Sequence, residues 1–238
     1  ATYVPPRVLT NADLERMVET SDEWILQRTG IRERHIVDPG VATSDLAVEA
    51  AREAIARAGL TPDDIAFIVV GTTTPDMLFP STACLVQERL GANHAWGYDL
   101  FAACSGFTYA LTTAAQLVSA GGSRHALVIG ADVMSSIIDY TDRATCVIFG
   151  DGAGAAVVEA TDEEGIGIID FENYVDGSGG GALCMPGGGT REAGRPPRGS
   201  TSSDSVASRD LPSPGWRSFA DDVKGRAHGL GRAPSIRP

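Results

Sequence analysis

Cys104 stands in the stretch DLFAACSGFTYAL with only small residues beside it: Ala102 and Ala103 before, Ser105 and Gly106 after. A thiol without bulky neighbours can be reached by a carbonyl carbon, and nearby backbone N–H groups can then stabilise an oxyanion. The segment before it, AWGYDLF, reads as a strand, and the segment after it, SGFTYALTTAAQLVSAG, as a helix. In an open α/β sheet ligands gather at the carboxyl ends of strands, and the positive end of a helix favours a thiolate. The pattern has the form of a hydrolase nucleophile turn with Cys in place of Ser. A buried structural cysteine is the competing reading, since free Cys is among the most buried residue types. The local pattern leaves both open.

The remaining cysteines offer less. Cys84, beside Leu85 in a helix, and Cys146, within an expected strand TCVIF, are assigned to the core; Cys184 falls in a loop. There is no CxxC pair, so zinc and thioredoxin-like chemistry are disfavoured and no metal site is expected. GDGAGA, Gly150 to Ala155, invites a phosphate-loop reading, but such loops lead into a helix. Here AAVVEA follows, which reads as a strand, so a tight glycine turn between two strands is the better expectation.

The elements that would position Cys104 alternate along residues 1–186. TNADLERMVETSDEWILQRTGI predicts two short helices capped near Thr10–Asn11 and Ser21. TSDLAVEAAREAIARAG predicts an amphipathic helix with Leu46, Ala50, Ala54 and Ala58 on one side and Gly59 as its stop. DIAFIVVGT, AWGYDLF, HALVIGAD, TCVIF, GAAVVEA and GIGIIDFENYV read as strands, with a helix at PSTACLVQERLG. Strand–helix alternation with near-continuous apolar strands predicts an α/β fold: a mixed, mostly parallel sheet with helices on both faces.

From Gly187 to Pro238 the character changes. More than half of these residues are Gly, Pro, Ser or Arg, and neither a period of two nor one of 3.6 is sustained. Such a segment buries too little apolar surface to offset chain entropy, so 187–238 is expected to be a disordered tail and 1–186 the folded unit. The formal net charge of −12 argues against nucleic acid or an anionic membrane as partner. No run approaches the roughly 18 apolar residues of a membrane span, and the start shows no signal peptide. A reduced, cytoplasmic setting is the expectation.

Taken together, TSDEWILQRTGIRERH, FPSTACLVQERLG, AACSGFTYAL, TDRATCVIFGDGAGAAV and DGSGGGALCMPGGG, in this order and spacing, resemble β-ketoacyl-acyl-carrier-protein synthase III, a thiolase-fold condensing enzyme. The resemblance runs from about Tyr3 to Gly189. It implies an acyltransferase that initiates fatty-acid synthesis. A cysteine takes a short acyl group from acyl-CoA, and the decarboxylated unit of malonyl-acyl-carrier protein then condenses with it. Acyl-CoA is a substrate, and no cofactor is implied. Cys104 matches the family nucleophile. Trp24 and Arg143 match the pair that sandwiches the CoA adenine, and Thr20 and Arg28 match positions near the CoA nucleotide. Phe79 matches the aromatic that crosses the family's homodimer toward the partner's acyl pocket. Without the resemblance, Trp24 reads as a half-buried anchor and the two arginines as surface ion pairs.

The resemblance also has limits. The family's thiolase-like fold is a duplicated half, and the match covers the first copy. The second copy's His and Asn, which stabilise the carbanion, have no counterpart: His35, His94, His125 and His228 all lack the His-Gln-Ala-Asn context. The family's first strand is clipped before Ala1, and the tail reads as a frame shift after MPGGG. A priming ketosynthase of polyketide assembly carries the same motifs and is the runner-up. A non-catalytic fragment that keeps the dimerising half is the rival of another class.

Overall fold

Local capping signals in the sequence translate directly into the first elements. In the computed structural model, which describes residues 1–190 apart from Gly122, Glu164, Ala182 and Pro186, β1 (Thr2–Tyr3) and β2 (Val8–Thr10) precede α1 (Asn11–Glu15). Thr10 and Asp13 cap α1 reciprocally: the Thr10 hydroxyl accepts from the Asp13 N–H at 3.2 Å, and the Asp13 carboxylate accepts from the Thr10 N–H at 2.8 Å. Ser21 caps α2 (Asp22–Thr29) through the Trp24 N–H, and Gly30 ends it with φ +73°. Next come β3 (Glu33–His35), α3 (Thr43–Arg57), β4 (Phe67–Gly71), α4 (Thr82–Leu90) and β5 (Trp96–Leu100). They are followed by α5 (Gly106–Ser119), β6 (His125–Val133), the single turn α6 (Arg143–Cys146) and β7 (Asp151–Glu159).

Five strands form one sheet in the order β1-β7-β6-β4-β5, and β2 and β3 pair separately as an antiparallel ribbon. β4 lies parallel to both β5 and β6, while β7 runs antiparallel to β6 and β1. The sheet is therefore mixed, with a parallel centre. Alternation along β4 divides the core. Ile68 and Val70 pack with Leu127 and Ile129 of β6 under Leu46, Ala47, Ala51 and Ile55 of α3 and Val86 of α4. Phe67 and Val69 pack with Ala126 and Val128 under Ala110, Ala114 and Val118 of α5. Both faces are covered, which is why these strands are continuously apolar. Truncating Ile68 to Ala would cost about 2–5 kcal/mol. A third cluster, Leu14, Ile25, Ile138, Cys146 and Val147, joins α1 and α2 to α6.

Several expectations are corrected. TCVIF is not a strand. Asp142 accepts from the Ala144 N–H at 2.9 Å and from the Thr145 hydroxyl at 2.7 Å, and this cap winds 143–146 into a helical turn. Gly152 and Gly154 do not form a turn between strands; they lie inside β7, which pairs with β6 along its full length. GIGIIDFENYV forms no strand: Ile169, Tyr174 and Val175 are exposed, and the segment touches α5 where the Tyr109 hydroxyl donates to the Tyr174 carbonyl at 2.9 Å. Ala58 lies past the last turn of α3 and is exposed, unlike Leu46, Ala50 and Ala54. Cys84 is exposed rather than in the core, because it sits on the outer side of the first turn of α4; Cys146 is buried as expected. The disordered-tail expectation for 187–238 falls outside the described residues from 191 onward.

Candidate functional site

Cys104 sits in a 3-10 turn, Ala103–Ser105, between the carboxyl end of β5 and the first residue of α5. Its side chain is exposed. Ala103 holds φ +45°, an uncommon left-handed conformation for a residue with a Cβ. The small residues serve close packing. A Cβ on Gly71 would lie 2.6 Å from the Gly106 carbonyl carbon, and one on Gly130 would lie 3.0 Å from the Phe107 Cβ. Bare backbone at these two positions lets the start of α5 rest directly on the end of β4 and on β6 beside it. The result is a cavity of about 560 Å³ lined by Gly71, Ala103, Cys104, Phe107, Gly130, Asp132, Met134 and the glycines of β7. Its walls offer glycine and alanine backbone, the apolar side chains of Phe107 and Met134 and one carboxylate, a setting in which a planar acyl group can approach a sulfur.

The second cluster is cationic and aromatic. The Arg143 guanidinium lies 4.5 Å from the centre of the Trp24 ring, and that of Arg28 lies 5.9 Å away. Arg143 also donates to the Glu19 carbonyl at 3.2 Å. At 4.5 Å from the ring centre the Arg143 guanidinium lies against the indole, too close for a third ring to sit between them. Trp24 is half-buried against the Leu14–Ile25–Cys146 cluster, so it is an anchor as well as an exposed face. Thr20 precedes the Ser21 cap, and its hydroxyl is turned inward, buried and unpartnered. None of Thr20, Trp24, Arg28 or Arg143 lines the Cys104 cavity.

The brace under this cluster is a set of residues that sequence reasoning missed. Buried Arg34 donates through Nη1 to Asn11 Oδ1 at 2.5 Å and through Nε and Nη2 to the Val147 carbonyl, just past α6. Asn11 passes the link on, donating to Asp22 Oδ1 at 2.7 Å and to the Ile31 carbonyl at 2.9 Å. Burial lowers the pKa of Arg34 from its usual value. The ends of α2 and α6, which carry Trp24 and Arg143, are thus tied through one buried cation.

Phe79 is 83% exposed, beside Leu78, at the tip of the loop before α4. Both ends of that loop are pinned. Asp76 accepts from the Ser44 N–H and hydroxyl at 2.8 and 2.7 Å, and Asp99 of β5 accepts from the Thr82 and Ala83 N–H groups at 2.6 and 2.8 Å. Asp99 lies in the same DLFAAC stretch as Cys104, so one strand end anchors both features. A second cavity of about 460 Å³, bounded in part by Ile36, Val37, Ser135 and Tyr140, contains none of the anticipated site residues. Among the described residues no cluster of three or more His, Cys, Asp or Glu could hold a metal ion, and no helix is long and apolar enough to cross a membrane.

The helix-covered mixed sheet with a cysteine turn at a strand end is a thiolase-like α/β fold, as its structural neighbours show. The family model for 3-oxoacyl-[acyl-carrier-protein (ACP)] synthase III matches residues 98–177. The β-ketoacyl-[acyl-carrier-protein] synthase III of Solibacter usitatus is 63% identical over 191 residues, covering 79% of this chain and 58% of that protein. The β-ketoacyl-[acyl-carrier-protein] synthase III structure from Thermus thermophilus superposes with a TM-score of 0.75 at 46% identity, covering 85% of this chain and 61% of that one. The priming β-ketosynthase of the R1128 polyketide biosynthetic pathway gives a TM-score of 0.72 at 41% identity, covering 77% of this chain and 55% of that one. The chain belongs to the β-ketoacyl-acyl-carrier-protein synthase III family. It spans a little under three-fifths of the length of the curated relatives it matches.

Proposed function

We propose that the protein is an acyltransferase of fatty-acid initiation, with Cys104 as the residue that accepts a short acyl group from acyl-CoA. The observation that carries this reading is the exposed Cys104 in a turn between β5 and α5, facing a cavity walled by glycine backbone. In the first step the Cys104 sulfur, having lost its proton, attacks the thioester carbonyl. A carbon–sulfur bond forms, the bond to CoA breaks, and the CoA thiolate leaves and takes up a proton. In the second step the malonyl group on a carrier protein loses carbon dioxide. The electron pair left on carbon attacks the acyl-Cys104 carbonyl, and the Cys104 thiolate departs. Backbone N–H groups at the start of α5 are the oxyanion donors in this reading.

Trp24 and Arg143 clamp the adenine of CoA, which requires Arg143 to swing off the indole on which it rests. Arg28 and Thr20 flank the nucleotide, Thr20 as part of the supporting turn, since its hydroxyl points inward. Phe79 reaches from its pinned loop toward the partner of a homodimer. The folded unit is residues 1–186, the protein works in the cytoplasm, and acyl-CoA serves as substrate with no separate cofactor. The curated relatives' names favour fatty-acid initiation over polyketide priming. The test is isotope exchange: the chain should exchange labelled CoA into acetyl-CoA, and Cys104→Ala should abolish the exchange. Exchange that survives in Cys104→Ala contradicts the assignment.

A further inference from the structure

We infer that Asp132 is a positioning residue for the Cys104 turn. Asp132 is the second-last residue of β6, two beyond Gly130, which pairs with Gly71 at the end of β4. The three threonines that follow β4 wrap around its carboxylate. Asp132 Oδ1 accepts from the Thr73 and Thr74 N–H groups at 2.8 and 3.2 Å and from the hydroxyls of Thr72, Thr73 and Thr74 at 3.0–3.1 Å. Thr74 returns the link, its hydroxyl accepting from the Val133 N–H at 2.8 Å. Five N–H and O–H groups thus lie within 3.2 Å of this one oxygen and share its lone pairs, the Thr74 N–H also reaching the Thr72 hydroxyl at 3.1 Å, so three consecutive residues are tied to β6 through one charged acceptor.

What the turn fixes is the seat of the nucleophile. The Thr72 N–H donates to the Leu100 carbonyl at the end of β5, four residues before Cys104. Gly71, immediately before Thr72, presses backbone to backbone on Gly106, two residues after Cys104. The Cys104 turn is therefore gripped on both sides by a segment that Asp132 holds, and Asp132 also lines the cavity that Cys104 faces. Left-handed Ala103 persists only while its surroundings over-determine it. Removing the Asp132 carboxylate lets Thr72–Thr74 move and the turn relax. A displacement of about 1 Å at a nucleophile can cost about a hundredfold in rate.

The inference rests on Cys104 being the acyl acceptor, and the test keeps the two apart. In the full chain, Asp132→Ala is expected to slow acetyl transfer from acetyl-CoA to Cys104 by about tenfold or more at saturation, with little change in half-saturating concentration. Asp132→Asn keeps an Oδ1 acceptor and should recover most of the rate. Iodoacetamide labelling runs in parallel. Cys104 labelling should fall at least about threefold in Asp132→Ala, while exposed Cys84 and buried Cys146 keep their wild-type rates. Should Asp132→Ala not fold, Thr73→Val removes one of the five donors and should lower the Cys104 labelling rate in the same direction. A wild-type chain that accepts no acetyl group defeats the functional reading alone, and the labelling arm still decides the role of Asp132. Unchanged Cys104 labelling in the Asp132→Ala or Thr73→Val chain overturns the inference. So does loss of protection at Cys146 in parallel with Cys104, which would make Asp132 a general support of the fold.

Discussion

Gly71 at the end of β4 and Gly106 at the start of α5 meet backbone to backbone: a Cβ on Gly71 would lie 2.6 Å from the Gly106 carbonyl carbon and 2.8 Å from its oxygen. Nothing at that contact is a flexible side chain that could turn aside. Gly71→Ala should therefore destabilise the fold by about 1–3 kcal/mol through overpacking. It should also push α5 and Cys104 away from the sheet. Urea denaturation measures the first effect, and the Cys104 alkylation rate measures the second. Wild-type stability in the variant would mean that the helix start can shift freely, and the seat described for Cys104 would be wrong.

The Arg34–Asn11 contact makes a separate prediction. Asn11→Ala deletes an acceptor from a buried guanidinium whose other partner is a single carbonyl. Leaving a buried charged donor short of a partner costs about 1–3 kcal/mol or more. The loss should appear as a lowered denaturation midpoint. Asn11→Asp keeps the acceptor for Arg34 but sets a carboxylate oxygen against Asp22 and the Ile31 carbonyl in place of the amide donor, so it should be destabilised as well. An unchanged midpoint in Asn11→Ala would show that neither set of bonds supports the fold.

Tyr140 and Cys146 bear on alkaline stability. Burial raises both pKa values, with nearby carboxylates adding to the effect, from usual values of 10.0 and 9.0. The folded state therefore holds these protons more tightly than the unfolded chain. Their contribution is fully present below the unfolded values and is lost as pH rises through the raised folded values. The Tyr140 hydroxyl is also buried without a partner. Tyr140→Phe should therefore leave neutral-pH stability unchanged or higher by up to about 1 kcal/mol, and should flatten the part of the loss that sets in above about pH 10, leaving the Cys146 part that begins near pH 9. Thermal melts across pH 7 to 11 test this, and a clear drop in Tm at neutral pH would reveal an unseen partner for the hydroxyl.

The Trp24–Arg143 stack predicts a split in kinetic parameters. Arg143→Ala and Trp24→Ala should raise the half-saturating acetyl-CoA concentration roughly two- to thirtyfold, the equivalent of about 0.5–2 kcal/mol, and leave the rate at saturation unaltered. Loss of uniform binding has that signature. A fall in the saturated rate with unchanged half-saturation would place these residues at the reacting atoms instead.

Sequence patterns reported the sheet well because its centre obeys simple rules. Phe67–Gly71 is buried on both faces; of the helices over it, α4 begins on the Ser81 cap and ends on Gly91, and α3 and α5 stop just before Gly59 and Gly121, both at positive φ. TCVIF misled because its β-branched, apolar composition is that of a strand, whereas the Asp142 cap decides the backbone locally. GIGIIDFENYV misled in the same way: it has strand composition but finds no ladder to join. Cys104 was legible from its small neighbours and its place between two elements. Asp132, Arg34 and Asn11 were not, since their meaning lies in contacts across 58–60 residues for Asp132 with the threonines and 113 for Arg34 with Val147. No periodicity encodes such distances.

The most direct measurement is of the acyl-enzyme itself. The full chain is incubated with acetyl-CoA at neutral pH, quenched in acid and digested, and the acetyl group is located by mass spectrometry among Cys84, Cys104, Cys146 and Cys184. A thioester-linked acetyl group is expected on Cys104, absent from the other three cysteines and lost in Cys104→Ala. Acetyl groups spread over exposed Cys84 and Cys104 alike, or persisting in the Cys104→Ala chain, would contradict Cys104 as the acyl acceptor.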